Sequence, residues 1–255
     1  MKRQKLFSAA AMLGLALTSC NISINGDSFG GETIKGNGNI VTRSFEVGAF
    51  EDLSVALSAT VNFSVSDEYT CTVRVDENLL DYLDIAVKKD ELVVKKQDRH
   101  KKVTLRATEF VIDITAPSLD EATLAGSGDL NFNSIMNEPK LEVVLAGSGN
   151  VAFREEANID HLELSVAGSG DIHIEKGSIR EVEADIAGSG KIVSHAEIQD
   201  LDVNVMGSGD ITAKVNGKLD YFVAGSGDIK YYGDPEVKGK IAGSGSVLRI
   251  EEPTR

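Results

Sequence analysis

Tryptophan is absent from this 255-residue chain, and aromatic residues make up only 5% of it. A core built without large rings must be narrow and filled by Val, Ile, Leu and Ala. At 42% hydrophobic composition there is enough apolar residue for one. Cysteine is scarce too, with only Cys20 and Cys71. If Cys20 is modified, no intramolecular disulfide is available. Cys71 alternates with polar neighbours in Tyr69–Val75, which predicts a thiol that faces the core and has a structural role. Positive charge is also short, and the formal net charge is −14. An acidic surface repels phosphates and anionic head groups, which excludes nucleic acid as a partner. A catalytic constellation is missing as well. His100, His161, His173 and His195 fall in different columns of the repeat described below. No pair of them has metal-ligand spacing, and none is matched to a Ser or Cys nucleophile. The expectation is no catalytic residue, no metal site and no cofactor.

The N-terminus reads MKRQKLFSAAAMLGLALTSC. Lys2, Arg3 and Lys5 precede an apolar stretch, Leu6 to Leu17, that is too short and too rich in small residues for a transmembrane helix. It reads as a signal peptide over 1–19. The ending Leu17-Thr18-Ser19-Cys20 resembles the bacterial lipobox, which predicts lipidation of Cys20. The membrane partner is then reached through that anchor. One acyl chain binds weakly and several bind stably. Loss of residues 1–19 removes three cations and no anion, taking the charge from −14 to −17. Residues 20–37, polar and Gly-rich, form a flexible spacer.

In 38–118 the alternation is that of strands. Leu53, Val55, Leu57, Ala59, Val61, Phe63 and Val65 share one face, over a segment broken by one turn. Further strands are predicted at 71–75, 83–88, 91–96, 102–106 and 109–115, with a short helical turn or loop at 76–80. Pro117 closes this N-terminal part.

Residues 119–255 are dominated by one repeat, Ala-Gly-Ser-Gly-polar-aliphatic. Its copies begin at Ala125, Ala146, Ala167, Ala187, Met206, Ala224 and Ala242, at intervals of 21, 21, 20, 19, 18 and 18. A unit of this size cannot bury its own apolar face and must stack on its neighbours. Near-constant spacing of one turn motif favours stacking in register over a meander of hairpins. The predicted fold is all-β, a right-handed parallel β-helix or solenoid with Gly-Ser-Gly turns that tapers as the period shortens. Gly126 and Gly128, Gly147 and Gly149, Gly168 and Gly170, Gly188 and Gly190, Gly207 and Gly209, Gly225 and Gly227, and Gly243 and Gly245 are read as structural turns. Ala or Met before each turn is read as filling the corner from inside. Val166, Val205 and Val223 are expected to point into the core.

Two polar columns follow from the alignment of copies. The position after each second glycine reads Asp129, Asn150, Asp171, Lys191, Asp210, Asp228 and Ser246. The Lys in its middle argues against a calcium ladder. Four residues before the motif Ala or Met stand Glu142, Glu163, Glu183, Asp202 and Asp220, then Lys238. Stacked coils would place these five carboxylates ~4.8 Å apart on one outer face. That row is either a solvated face that resists edge aggregation or a docking stripe for a cationic partner or divalent ions.

The repeated Ala-Gly-Ser-Gly-Asp-Ile, preceded by Arg43–Val55 and Val75–Leu80, resembles the auto-transporter adhesin head domains called head GIN domains. The resemblance spans about 38–250. It implies a β-helical surface or periplasmic lipoprotein of the cell envelope, attached to the outer membrane, with no known catalytic residues. The leading reading is a non-catalytic binding or structural module for a glycan or an envelope protein. A carbohydrate-active enzyme on a β-helix and a periplasmic maintenance or signalling accessory stay open as alternatives. The sequence does not fix the oligomeric state.

Overall fold

The computed structural model describes residues 32–100 and 102–251; Cys20, the signal segment and most of the spacer lie outside the described residues. The N-terminal strands are β1 (Thr33–Lys35), β2 (Ile40–Phe45), β3 (Asp52–Ala56), β4 (Thr60–Val65), β5 (Thr70–Asp76), β6 (Leu83–Lys88), β7 (Glu91–Lys96), β8 (Thr104–Arg106) and β9 (Phe110–Ala116). A 3-10 turn occupies Glu77–Tyr82. Then come β10 (Glu121–Gly126), β11 (Asp129–Phe132), β12 (Met136–Gly147), β13 (Asn150–Gly168), β14 (Asp171–Gly188), β15 (Lys191–Gly207), β16 (Asp210–Gly225), β17 (Ile229–Tyr232), β18 (Glu236–Gly243) and β19 (Val247–Arg249).

From β10 onward every pairing is parallel and joins a coil to the next, giving a β-solenoid of about six turns. The repeat stacks motif on motif: Gly147 lies opposite Gly168, Gly168 opposite Gly188, and Gly188 opposite Gly207. At the six corners from Ser148 to Ser244 the serine N–H donates to the carbonyl of the first glycine one coil back. Ser169 bonds Gly147 at 2.9 Å, and Ser189 bonds Gly168 at 2.8 Å.

The two glycines of a corner are needed for different reasons. Gly168 has φ +133°, and a Cβ there would lie 2.2 Å from the Gly147 carbonyl oxygen. Gly170 has no such φ, but its Cβ would lie 2.1 Å from the Gly149 oxygen. The first glycine serves backbone angle and contact, the second contact alone.

The interior is a set of aliphatic columns. Val166, Val205 and Val223 are buried at 1%, 0% and 0% exposure. One column runs Phe63, Phe132, Phe153, Ile174, Ser194, Ala213 and Tyr231 in register. Phe132 and Phe153 stack with centroids 4.4 Å apart. The residue before the first glycine departs from expectation. Met206 is 57% exposed, Ala242 is exposed and the other alanines of the column are half-buried, so this column faces outward and the corner is not filled by it. A small residue suits it because strand faces alternate, and Val205 already takes the inward position.

The solenoid also begins earlier than the first Gly-Ser-Gly. β3 pairs parallel with β10, and β4 with β11, so Leu57-Ser58-Ala59 form the corner one coil before Gly126-Ser127-Gly128. Beyond that coil β7 stacks on β3 and β9 on β4. The pattern then turns antiparallel, β2 with β5, β5 with β9 and β6 with β7. This end is closed by a buried carboxylate. Asp76 accepts N–H bonds from Gly38 at 2.7 Å and Thr108 at 2.6 Å. Burial pushes its pKa up, but these bonds outweigh that and hold it below the usual carboxylate range. Cys71 is buried in the same region, and burial pushes its thiol pKa up to about 12, which suits a structural thiol.

Candidate acidic docking face

The parallel register lines up Glu142, Glu163, Glu183, Asp202 and Asp220 as direct neighbours on successive coils, with Lys238 after them. The residues on either side of each along the strand are buried or core-facing, so this column points outward. The row is longer than the five. Glu121 pairs with Glu142, Asp52 with Glu121, and Glu91 with Asp52. Glu121 was legible, since it stands four residues before Ala125 in the same phase. Asp52 and Glu91 precede the repeat, and no spacing signal marks them.

These carboxylates crowd one another. Burial, then like charge, pushes the pKa of Asp52, Glu142, Glu183 and Asp202 above the usual carboxylate range. Burial acts the same way on Glu163, but Lys140 and His161 outweigh it and hold Glu163 below that range. The Lys140 ammonium and the His161 Nε2 each lie 3.1 Å from Glu163 Oε1.

The sign of the pH dependence follows. A raised folded-state pKa stabilises the protein below the unfolded carboxylate value and is lost as pH rises through the raised value. A lowered one works in reverse. Glu142→Gln should therefore raise Tm at pH 7 by about 1–2 °C, from roughly 0.5 kcal/mol of relieved repulsion, and have little effect at pH 4. Glu163→Gln should lower Tm at pH 7. Thermal melts of the two variants at both pH values check this. Equal shifts of one sign would mean that Glu163 is not the paired member of the row.

The column after the second glycine has a structural use. Asp171 Oδ1 accepts the backbone N–H of Lys191 at 2.9 Å, and Asp228 Oδ1 accepts that of Ser246 at 2.9 Å. Asp210 accepts the N–H of Asp228 at 3.1 Å. Each side chain ties its coil to the next. Lys191 fits because only its backbone is used.

The histidines stand in different columns, but stacking brings some of them to partners that are distant in sequence. Coil stacking brings His173 and His195 to a centroid distance of 5.4 Å. It also gathers His161, Glu181 and Glu183, whose potential donor atoms all lie within 4.8 Å of one another. Sequence spacing hid both groups, because residues about twenty apart become neighbours only across coils.

With this geometry established, the chain can be set beside known proteins. Residues 49–235 match the family described as "Putative auto-transporter adhesin, head GIN domain". The chain belongs to this family. No curated protein matches the chain. A solved structure from Parabacteroides distasonis, described as a "putative lipid binding protein", is 28% identical, with TM-score 0.73 over 86% of this chain and 100% of that one. A "putative adhesin" from Bacteroides fragilis is 24% identical, with TM-score 0.79 over 85% of this chain and 100% of that one. Another from Parabacteroides merdae, 23% identical, has TM-score 0.73 over 86% of this chain and 100% of that one. These last two show the fold alone. The head GIN family points to an adhesin-like protein of the cell envelope or surface.

Proposed function

We propose that this head GIN protein is a lipid-anchored, non-catalytic binding module of the outer membrane, and that the carboxylate row is where it docks a cationic partner. The observation that carries this reading is the register from Glu91 through Asp52 and Glu121 to Asp220. It places like charges side by side on consecutive coils. Like charges directly opposite one another in a sheet are destabilising. A row maintained over this many coils is explained if a partner brings the compensating charge. A basic segment of an envelope protein fits that requirement, as does a glycan carrying amino groups. The repetition suits a repetitive ligand, since each coil offers the same group at ~4.8 Å intervals.

Two measurements test the reading. Cys20→Ala should abolish acyl labelling and release the protein from membranes; unchanged labelling and membrane pelleting would remove the anchor. A glycan and envelope-protein array probed with the wild-type protein should show retention that fades with salt, because exposed charges are screened beyond about 10 Å at 0.1 M. Release of a shortened glycan in place of retention would support the carbohydrate-active enzyme instead.

A further inference from the structure

The coil that carries Glu163 also carries His161, and the next coil carries Glu181 and Glu183 on the same face. His161 lies directly opposite Glu181, and Glu183 is its diagonal neighbour, within reach of a long side chain. The imidazole has carboxylates at both nitrogens. Nδ1 lies 3.5 Å from Glu181 Oε2, and Nε2 lies 3.1 Å from Glu163 Oε1 and 4.0 Å from Glu183 Oε1. We propose that His161, Glu181 and Glu183 form a binding site for a divalent transition-metal ion of the zinc type, with Glu163 beside it.

Geometry and donor chemistry agree. A tetrahedral zinc with bonds of about 2.0–2.1 Å holds its donor atoms ~3.3 Å apart. One imidazole nitrogen binds one ion, and a single donor atom from each of His161, Glu181 and Glu183 lies within 4.8 Å of the others, so rotation of the two carboxylates toward one ring nitrogen would bring the set to that spacing. Glu181 and Glu183, with side-chain exposures of 45% and 57%, have room to make it. One imidazole with a few carboxylates suits a borderline ion such as zinc. Calcium takes six to eight oxygens, and magnesium demands an oxygen octahedron. Lys140 opposes the ion, since its ammonium sits on Glu163 and feels Glu183 as well. Three protein ligands leave a coordination position open at the surface, where a donor from a bound partner could complete the shell.

The inference is independent of the docking reading, because metal binding is measured with zinc alone and no partner. Calorimetric titration of the purified protein with zinc chloride should give one site per chain. Elemental mass spectrometry after gel filtration should find one zinc retained. His161→Ala and Glu183→Gln should each weaken binding at least tenfold, and Lys140→Met should tighten it several-fold by removing the competing cation. His173→Ala, at the other histidine pair, should leave it unchanged. Circular dichroism melts identify any variant that has lost its fold, and Glu183→Gln, at a half-exposed side chain, keeps the test decisive if His161→Ala has done so. No retained zinc would overturn the proposal, as would zinc whose affinity is the same in Glu183→Gln as in wild type or is lost with His173→Ala.

Discussion

Gly168→Ala is expected to lower the melting temperature by roughly 10 °C or to prevent folding. Two costs combine at this corner. Alanine at φ +133° is strained, by about 1–3 kcal/mol. Its Cβ would also lie 2.2 Å from the Gly147 oxygen, which accepts the Ser169 N–H and so cannot retreat without breaking the bond between coils. A total of at least ~3 kcal/mol corresponds to about 6–12 °C for a chain of this size. Ser169→Ala at the same corner is the control. Its side chain is exposed, and the bond that joins the coils uses its backbone N–H, so its melt should stay within about 2 °C of wild type. If Gly168→Ala melts like wild type, the corners are not built as described.

Val205→Asp should be at least as damaging. Val205 is fully buried in the pre-corner column between Ile186 and Val223. A carboxyl placed there has no partner and must stay neutral at pH 7. Moving its pKa from about 4 to above 7 costs about 4 kcal/mol at 1.36 kcal/mol per unit, before the lost apolar burial is added. Its neighbour Met206 supplies the sharpest contrast. One residue further along, Met206 is 57% exposed on the opposite face, so Met206→Asp should express and melt close to wild type. A tolerated Val205→Asp with a damaging Met206→Asp would reverse the phase of every strand before a corner.

How much of this was legible in the sequence depends on whether a feature repeats. Seven copies of one turn at 18–21-residue spacing determine both the stacking and its register, so Glu142 and Asp220 could be placed in one column without coordinates. The same rule extends to Glu121. It fails for Asp52 and Glu91, because the corner below Gly126 is Leu57-Ser58-Ala59 and the chain from Val65 to Ala116 mixes antiparallel pairings with the parallel ones. Strands at 83–88 and 91–96 were visible from alternation alone and coincide with β6 and β7. The parallel partner of β7, β3, lies some forty residues away, and local pattern carries no information about it. The outward position of the alanines is hidden in the sequence for a related reason. A small residue fits a tight interior and a flat exterior equally well, and only Met206, too large for the interior beside Val205, distinguishes them.

The row itself is best tested by comparing two variants of equal net charge. One changes Glu142, Glu163, Glu183, Asp202 and Asp220 to amides; the other changes Glu46, Asp67, Glu68, Asp81 and Asp160, all exposed and none of them in the row. The measurement is calorimetric affinity for decalysine at low and at high salt, on proteins shown to melt like wild type. The row variant should lose binding by tenfold or more while the control keeps most of it, because aligned carboxylates act together and scattered ones do not. Equal losses in the two variants would mean that only net charge matters, and that the row is not a docking face.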